Sequence, residues 1–515
     1  MKKLLLLFFI IITGKAFSQI PEDAIRYSWY PQNGTARINA VGGAVGSLGG
    51  DITSMFVNPA GIGFYNSKEV VLGLNFINSK NSALYRDNKS TATKNSVGLS
   101  PIGLVIGLGK QSDKMKSSTF ALGFNQTANF NNYLNFSSLN NYSSYSETFA
   151  EEFSNSKLSI DDVLQSNSPY PFTSAPALYT YLIDTVKLSD GSYTIKAAPE
   201  YILDAGEALN QKFIKKESGG IYEIAANAAV NYNDKWFFGG TLGIPIVYYK
   251  SDFTVEENDT SSNSSNHFSS FTYNDRFTTS GAGINLKAGA IYRPKEYIRI
   301  GLAVHSPTFM YLSDKRRTNL ITNLENPIGS FEVNSITFSN NREGKSSYNQ
   351  MSPWKAILSG SYVFREVEDT RKQKGFLSAD IEYVNHKNSS FRSANEDPDQ
   401  QEKDYFTQLT KVVKQQYKGA FNFRVGGELK FNVIMARLGF AYYGNPYKNS
   451  PEKANQMLLS GGLGYRNHGF FIDLTYVHAT KKDVYFPYRL SDRQNTYSTI
   501  NKTSGQIMAT AGFKL

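Results

Sequence analysis

Residues 419–443 read GAFNFRVGGELKFNVIMARLGFAYY. In an extended chain, Phe421, Phe423, Val425 and Leu429 fall on one side, and Asn422, Arg424, Glu428 and Lys430 on the other. After a break at Phe431-Asn432, Ile434, Ala436, Leu438, Phe440 and Tyr442 share a side that excludes Arg437. Successive side chains of a strand point to opposite faces, so the stretch is a hairpin with one apolar and one charged face. An Arg facing lipid near a bilayer midplane costs about 2–4 kcal/mol, which turns the charged face towards a lumen.

The same device repeats along the chain. From Lys68 onwards, segments with alternating apolar and small or polar residues are separated by polar breaks, giving about fourteen strands. They span 68–78, 96–109, 118–131, 220–232, 235–250, 276–292, 297–311, 354–365, 375–390, 419–430, 433–443, 456–466, 469–479 and 504–515. The breaks alternate between short and long. Short ones lie at 110–116, 233–234, 293–296, 366–374, 431–432 and 467–468. Long ones lie at 79–95, 132–219, 251–275, 312–353, 391–418, 444–455 and 480–503. That alternation is the mark of a transmembrane antiparallel β-barrel, with short turns on one side and long loops on the other. A soluble sandwich has no reason to show it. The fold class read from the sequence is therefore all-β.

Composition agrees. The 515 residues include 33 Tyr, 35 Phe and 41 Gly but no Cys. Aromatic enrichment suits a barrel with aromatic girdles, and the missing Cys excludes a disulfide framework and thiol catalysis. The net charge of +10 is dispersed, which does not point to nucleic acid. Residues 1–18 read as a cleaved signal peptide. Lys2-Lys3 precede an apolar run from Leu4 to Ile12, and Ala16-Phe17-Ser18 suits cleavage before Gln19. No Cys follows the run, so lipid anchoring is excluded, and no later stretch nears the roughly 20 apolar residues of a membrane helix.

One segment does not repeat. Gly34 to Tyr65, GTARINAVGGAVGSLGGDITSMFVNPAGIGFY, carries almost no charge and too many glycines for a stable helix. Pro59 holds Asn58 extended. The stretch reads either as a compact plug whose Asn-Pro-Ala tip touches a wall or as a Gly-rich lead-in to the first strand. Gly34-Thr35-Ala36-Arg37, Gly42-Gly43-Ala44, Gly49-Gly50-Asp51 and Asn58-Pro59-Ala60-Gly61 together resemble the N-terminal hatch of the FadL family of outer-membrane transporters for hydrophobic compounds, especially its Bacteroidetes-like branch. Weaker echoes lie at Ser306-Pro307, Arg437–Tyr442 and Gly461–Tyr465. The resemblance implies a monomeric barrel over 67–515 in a Gram-negative outer membrane, a hatch over 19–66 inside its lumen, and a lateral opening at a kinked third strand.

On this reading Asn58, Pro59, Ala60, Gly61, Gly42 and Gly43 form the gating hatch. Asn58-Pro59-Ala60 is expected against the wall near 96–109 and 118–131. Parity breaks at Pro101, and Asn125 and Asn129 bound a loose stretch of the third strand, so either place would hold the opening. Arg424, Arg437 and Lys287 point inward. They read either as part of a balanced lumen network with Glu223, Asp380, Glu382, Glu428 and Asp473, or as one uncompensated cation for a ligand carboxylate. The 132–219 loop is too long to be structureless. Ile202, Leu209 and Phe213 suggest a helix over 201–215 that either caps the mouth and captures ligand or packs on the loop itself.

No catalytic constellation stands out. The five His are scattered without metal spacing, no phosphate loop is present, and no cofactor or metal is expected. The function read is passive transport of long-chain fatty acids, aromatic hydrocarbons or similar molecules, with lateral exit into outer-membrane lipid. The alternative is an adhesin or structural barrel that binds external partners through its loops.

Overall fold

The computed structural model describes residues 22–109, 112–261, 263–325, 327–364, 374–448 and 454–515. The segment 1–18 read as a signal peptide, the first residues of the 19–66 segment, most of the 366–374 turn and part of the 444–455 loop lie outside the described residues.

Fourteen antiparallel wall strands close into one barrel. Strand 1 is Lys68–Tyr85. Strand 2 has an upper segment, Asn88–Leu99, and a lower one, Ile102–Leu108. Strand 3 is Met115–Asn129 continued by Asn132–Asn140, strand 4 Leu209–Tyr232, strand 5 Trp236–Asp259 and strand 6 Ser270–Lys295. Strand 7 is Ile298–His305 with Phe309–Asn323, strand 8 Gly344–Met351 with Lys355–Phe364, and strand 9 Gly375–Asn385 with Ser390–Ser393. Strands 10 to 14 are Gly419–Phe431, Ile434–Tyr443, Gln456–Asn467, Phe470–Tyr485 and Ser498–Lys514. Strand 14 closes on strand 1 in unbroken register from Glu69↔Lys514 to Tyr85↔Ser498.

The faces follow the alternation. Phe421, Phe423, Val425 and Leu429 are exposed outward, while Asn422, Arg424 and Glu428 are buried in the lumen. Trp236, Tyr292 and Tyr232 cluster at the end with the short turns, and the Trp236 and Tyr292 rings stack at 4.3 Å. Tyr248 and Tyr311 are exposed further up. These are the two aromatic girdles expected of a membrane barrel.

Several strands run well past the segments read from sequence. The 79–95 stretch is no loop: strands 1 and 2 stay paired up to a tight turn at Arg86-Asp87. Strands 4 and 5 likewise remain paired from Tyr232↔Trp236 up to Leu209↔Asp259. Above the apolar band water wets the outer face, so both faces are polar and the alternation that marks a strand disappears.

The 201–215 helix is replaced by a short helix, Glu200–Asp204, and the start of strand 4 at Leu209. Propensity and apolar spacing there lose to the cross-strand ladder. The loop also holds helices Glu147–Ser156, Ile160–Val163 and Ser174–Tyr179, and a small hairpin of Ile183–Lys187 with Tyr193–Ala197. These pack with Phe268 and Phe338 of neighbouring loops and with Phe271 and Leu320 at the upper ends of strands 6 and 7 into one apolar cap. The long break over 391–418 contains the helix Gln400–Gln416, capped by Asp399 accepting from Glu402 N.

Residues 22–66 lie inside the barrel, bonded to inward side chains around its circumference. Ala36 N donates to Thr510 Oγ1 at 2.9 Å, Thr475 Oγ1 donates to Ala36 O at 2.6 Å, and Ser460 Oγ donates to Ala40 O at 3.1 Å. Within this plug, Asp51 accepts from Thr35 Oγ1 and from Thr53 N, each at 2.9 Å, tying its two halves together.

Candidate functional site

Among the described residues the wall has one long break in its ladder. The lower segment of strand 2 pairs with strand 3 from Leu108↔Ser118 up to Ile102↔Phe124. Above that point the upper segment of strand 2 pairs with strand 1 alone, and strand 3 pairs with strand 4 alone. The break begins at Ser100-Pro101, where proline cannot donate to a ladder. On the opposite side strand 3 bulges against strand 4 between Gln126 and Ala128, and Asn125 and Asn129 flank that bulge.

Side chains close this seam in place of backbone. Leu99 N donates to Gln126 Oε1 at 2.9 Å. The plug residue Asn33 donates from Nδ2 to Leu99 O at 2.8 Å and to Gln126 O at 2.9 Å. Asn125 Nδ2 in turn donates to Asn33 O at 3.2 Å. A Cβ at Gly98 would come within 2.9 Å of Gln126 Oε1, so the glycine makes room for the bridging amide. Higher up, Asn81 Nδ2 donates to Tyr133 O at 2.7 Å, Lys94 Nζ to Glu217 O at 2.6 Å and Asn88 Nδ2 to Ser137 O at 2.6 Å.

Behind the seam lies a cavity of about 330 Å³. Trp29 and Tyr30 of the plug, Phe130, Tyr249 and Val477 supply its apolar lining, and Arg26, Lys481, Lys502 and Glu217 its charge. Lys481 Nζ sits 4.6 Å from the centre of the Trp29 ring, and Lys502 Nζ donates to Asn132 Oδ1 at 3.2 Å. Helix Gln400–Gln416 covers the plug on the loop side: Phe406, Leu409 and Val413 bury against Ala24, Ile25 and Tyr27.

The hatch residues singled out from sequence touch the wall elsewhere. Asn58 Oδ1 accepts from Ala60 N at 3.2 Å, and Nδ2 donates to Gly46 O at 2.6 Å and to Ala290 O at 3.4 Å. Asn58 and Pro59 are seated against Gly239 and Gly289 on strands 5 and 6, and Gly61 packs on Ser54. The expected placement beside 96–109 and 118–131 is thus corrected, and the seam asparagine is Asn33. Gly42 and Gly43 take φ of 70° and 82°, and Gly42 lies so close to Phe440 that a Cβ would come within 2.6 Å of its carbonyl oxygen. Only glycine combines that left-handed turn with that approach.

The three inward cations all have wall carboxylates. Arg424 lies 3.7 Å from Asp380 and 3.5 Å from Glu382, and Arg437 lies 2.6 Å from both Glu428 and Asp473. Lys287 is paired with Glu223 and donates to Asn285 Oδ1 at 2.8 Å. The same carboxylates hold the plug: Val45 N and Gly46 N donate to Asp380 Oδ2 at 3.1 Å, and Arg37 Nε donates to Glu428 Oε2 at 3.4 Å. This is the arrangement of the balanced network. Ile202, Leu209 and Phe213 are buried within the loop cap, as in the self-packing reading. Within that cap Glu147 accepts from Ser144 N at 2.6 Å and pairs with Arg493 at 2.9 Å, yet burial pushes its carboxyl up to about 7.

No protein-family model and no curated protein matches the chain. Solved structures do. A FadL homologue of Pseudomonas aeruginosa is 13% identical, with 94% of this chain and 99% of that one covered and a TM-score of 0.51. The toluene transporter TodX of P. putida is 11% identical over 94% and 99%, with a TM-score of 0.52. The chain folds as a FadL-type plugged barrel. At these identities the likeness concerns the fold. Within the FadL-type fold, Lys481, Lys502 and Asn33 escaped the sequence reading, because only the folded plug brings them to the seam. Helix Gln400–Gln416 did carry a signal, since Phe406, Leu409 and Val413 fall on one helical face.

Proposed function

We propose that the protein is a monomeric outer-membrane channel for small hydrophobic molecules, working by passive diffusion with lateral exit through the seam between strands 2 and 3. The observation that carries this is the break in the ladder beside an apolar-walled cavity. A complete ladder would leave an apolar ligand no way out except through the aqueous lumen, and lipid-exposed backbone left unpaired is costly. Here the backbone groups at the lower end of the break are satisfied by side chains, which exchange partners more readily than a ladder does. The plug fills the lumen below and turns the path sideways. Arg26, Lys481 and Lys502 outnumber the one lining carboxylate, Glu217, and favour ligands that carry a polar or anionic end on an apolar body.

The test is uptake of labelled oleate and toluene by a host strain deleted for its own outer-membrane channels for hydrophobic compounds and carrying only this protein. Uptake above the empty-vector level, with Lys481→Gln/Lys502→Gln lowering oleate more than toluene, is the expected outcome. No uptake of either by a correctly assembled barrel would overturn the transport reading and favour a loop-binding adhesin.

A further inference from the structure

The outer surface of the wall is uneven. On strand 5 apolar and aromatic residues face outward from Trp236 to Tyr248, a height of about 30 Å for tilted strands. On strand 1 the outward apolar run is only Val70, Leu72, Leu74 and Phe76, about half that height. Above Phe76 the next three outward positions, Asn78, Lys80 and Ser82, are polar. In register, Asn78 lies between Asn95 and Gly505, Lys80 between Thr93 and Thr503, and Ser82 between Thr91 and Asn501.

These residues form a groove of about 590 Å³ across strands 13, 14, 1 and 2. Phe76, Tyr476 and Ile507 make its apolar part, and Lys80, Lys89 and His478 its charged part. No Asp or Glu lines it. Neither Lys80 nor Lys89 has a carboxylate partner among the described residues. Gly505 keeps the groove open, because the Tyr476 hydroxyl would lie 2.9 Å from a Cβ there.

We propose that this groove binds a phosphorylated glycolipid of the lipid A type. Lys80 and Lys89 take its phosphate, with His478, Asn501 and Thr503 beside the sugar and the acyl chains lying on Phe76, Tyr476 and Ile507. The inference rests on the outer-membrane reading, since such lipids fill the outer leaflet. The charge favours an anionic head, and the apolar part below it favours chains running into the bilayer. The position adds a consequence. The upper segment of strand 2 has a ladder partner on one side only, so a lipid bridging Lys80 and Lys89 supports the edge that borders the seam.

The test uses the full mature chain in mild detergent, titrated with lipid A and read by native mass spectrometry. One saturable adduct is expected. Lys80→Gln/Lys89→Gln should weaken it about tenfold or more, Lys80→Arg/Lys89→Arg should retain it, and Lys187→Gln on the loop cap should leave it unchanged. Dephosphorylated lipid A should bind the unaltered protein weakly, which needs no variant to fold. Equal binding of the dephosphorylated lipid, of phosphatidylglycerol, or by the double Gln variant would overturn the site. Membrane fractionation separates the failures: a barrel absent from the outer membrane removes the underlying reading, whereas an outer-membrane barrel without this preference removes only the lipid site.

Discussion

The side-chain amide of Asn33 is shared between two main-chain carbonyls, Leu99 and Gln126, at the point where the wall ladder stops. Leaving a buried acceptor unmatched costs about 1–3 kcal/mol. Asn33→Ala is therefore expected to speed amide hydrogen exchange over 97–99 and 126–128 by about tenfold and to raise hydrophobic uptake. Asn58→Ala should act differently, loosening the Pro59–Phe64 turn without changing exchange at the seam. Equal effects of the two variants at the seam would count against this division. The sequence singles out Asn58 by the proline that follows it and gives Asn33, between Gln32 and Gly34, no comparable mark. What distinguishes them is which wall strand the folded plug meets. Arg437 was legible as an inward charge because its neighbours alternate. Its two carboxylate partners, 2.6 Å away on strands 10 and 13, make it structural. Arg437→Met leaves Glu428 and Asp473 short of a partner. It should cost about 3–5 kcal/mol, measured as a lower urea midpoint for barrels refolded into lipid vesicles.

At the scale of elements, legibility followed solvent. Where the outer face meets lipid, apolar alternation marks each strand, and the readings at 419–430 and 433–443 agree with the observed strands to within a residue or two. Where strands rise into water, as in Asn88–Leu99, both faces are polar and the sequence resembles a loop. The helix Gln400–Gln416 was legible in principle, from Asp399 at its N-cap and three apolar residues on one face. Leu409→Glu should undock it and expose the start of the plug, seen as faster tryptic cleavage after Arg26. The loop cap should respond to pH through Glu147. Its folded value of about 7 lies above the ordinary Glu range, so the unfolded loop releases its proton at lower pH than the folded one. The cap is thus favoured below about pH 4.5 and progressively less so as pH rises to about 7. Glu257, which accepts from Tyr145 N at 2.7 Å in the same cap, is likewise pushed up to about 7 by burial. Hydrogen exchange over 147–179 should quicken across that interval, Glu147→Gln should reduce the response, and Glu147→Gln/Glu257→Gln should flatten it.

For the whole molecule, the plug, the cavity and the seam have meaning only together. The plug is held around the circumference by Thr510, Thr475, Ser460, Asp380 and Glu428, so it resists leaving the barrel as a unit. The seam is the part of the wall whose closure depends on side chains. Two routes for a ligand can then be told apart: displacement of the plug into the space below, or passage sideways between strands 2 and 3. The chain has no cysteine, so an introduced pair is unambiguous. Asn88 already reaches the Ser137 carbonyl across the seam at 2.6 Å. Asn88→Cys/Ser137→Cys, joined by a short bis-maleimide, ties the two edges without touching the plug. Passage through the seam requires those edges to separate by at least the width of an aromatic ring or acyl chain. Cross-linking should therefore lower oleate and toluene uptake by about tenfold or more, since the open state would be almost removed. The same variant without reagent should transport normally, and heat-modifiable gel mobility should confirm assembly in both states. A matching tether between the plug and strand 6, Asn58→Cys/Gly289→Cys, where a Cβ at the inward-facing Gly289 would come within 2.9 Å of Asn58 Cγ, should leave uptake largely intact. If the plug tether abolished uptake and the seam tether did not, the ligand would be moving past a displaced plug, and the lateral route would be wrong.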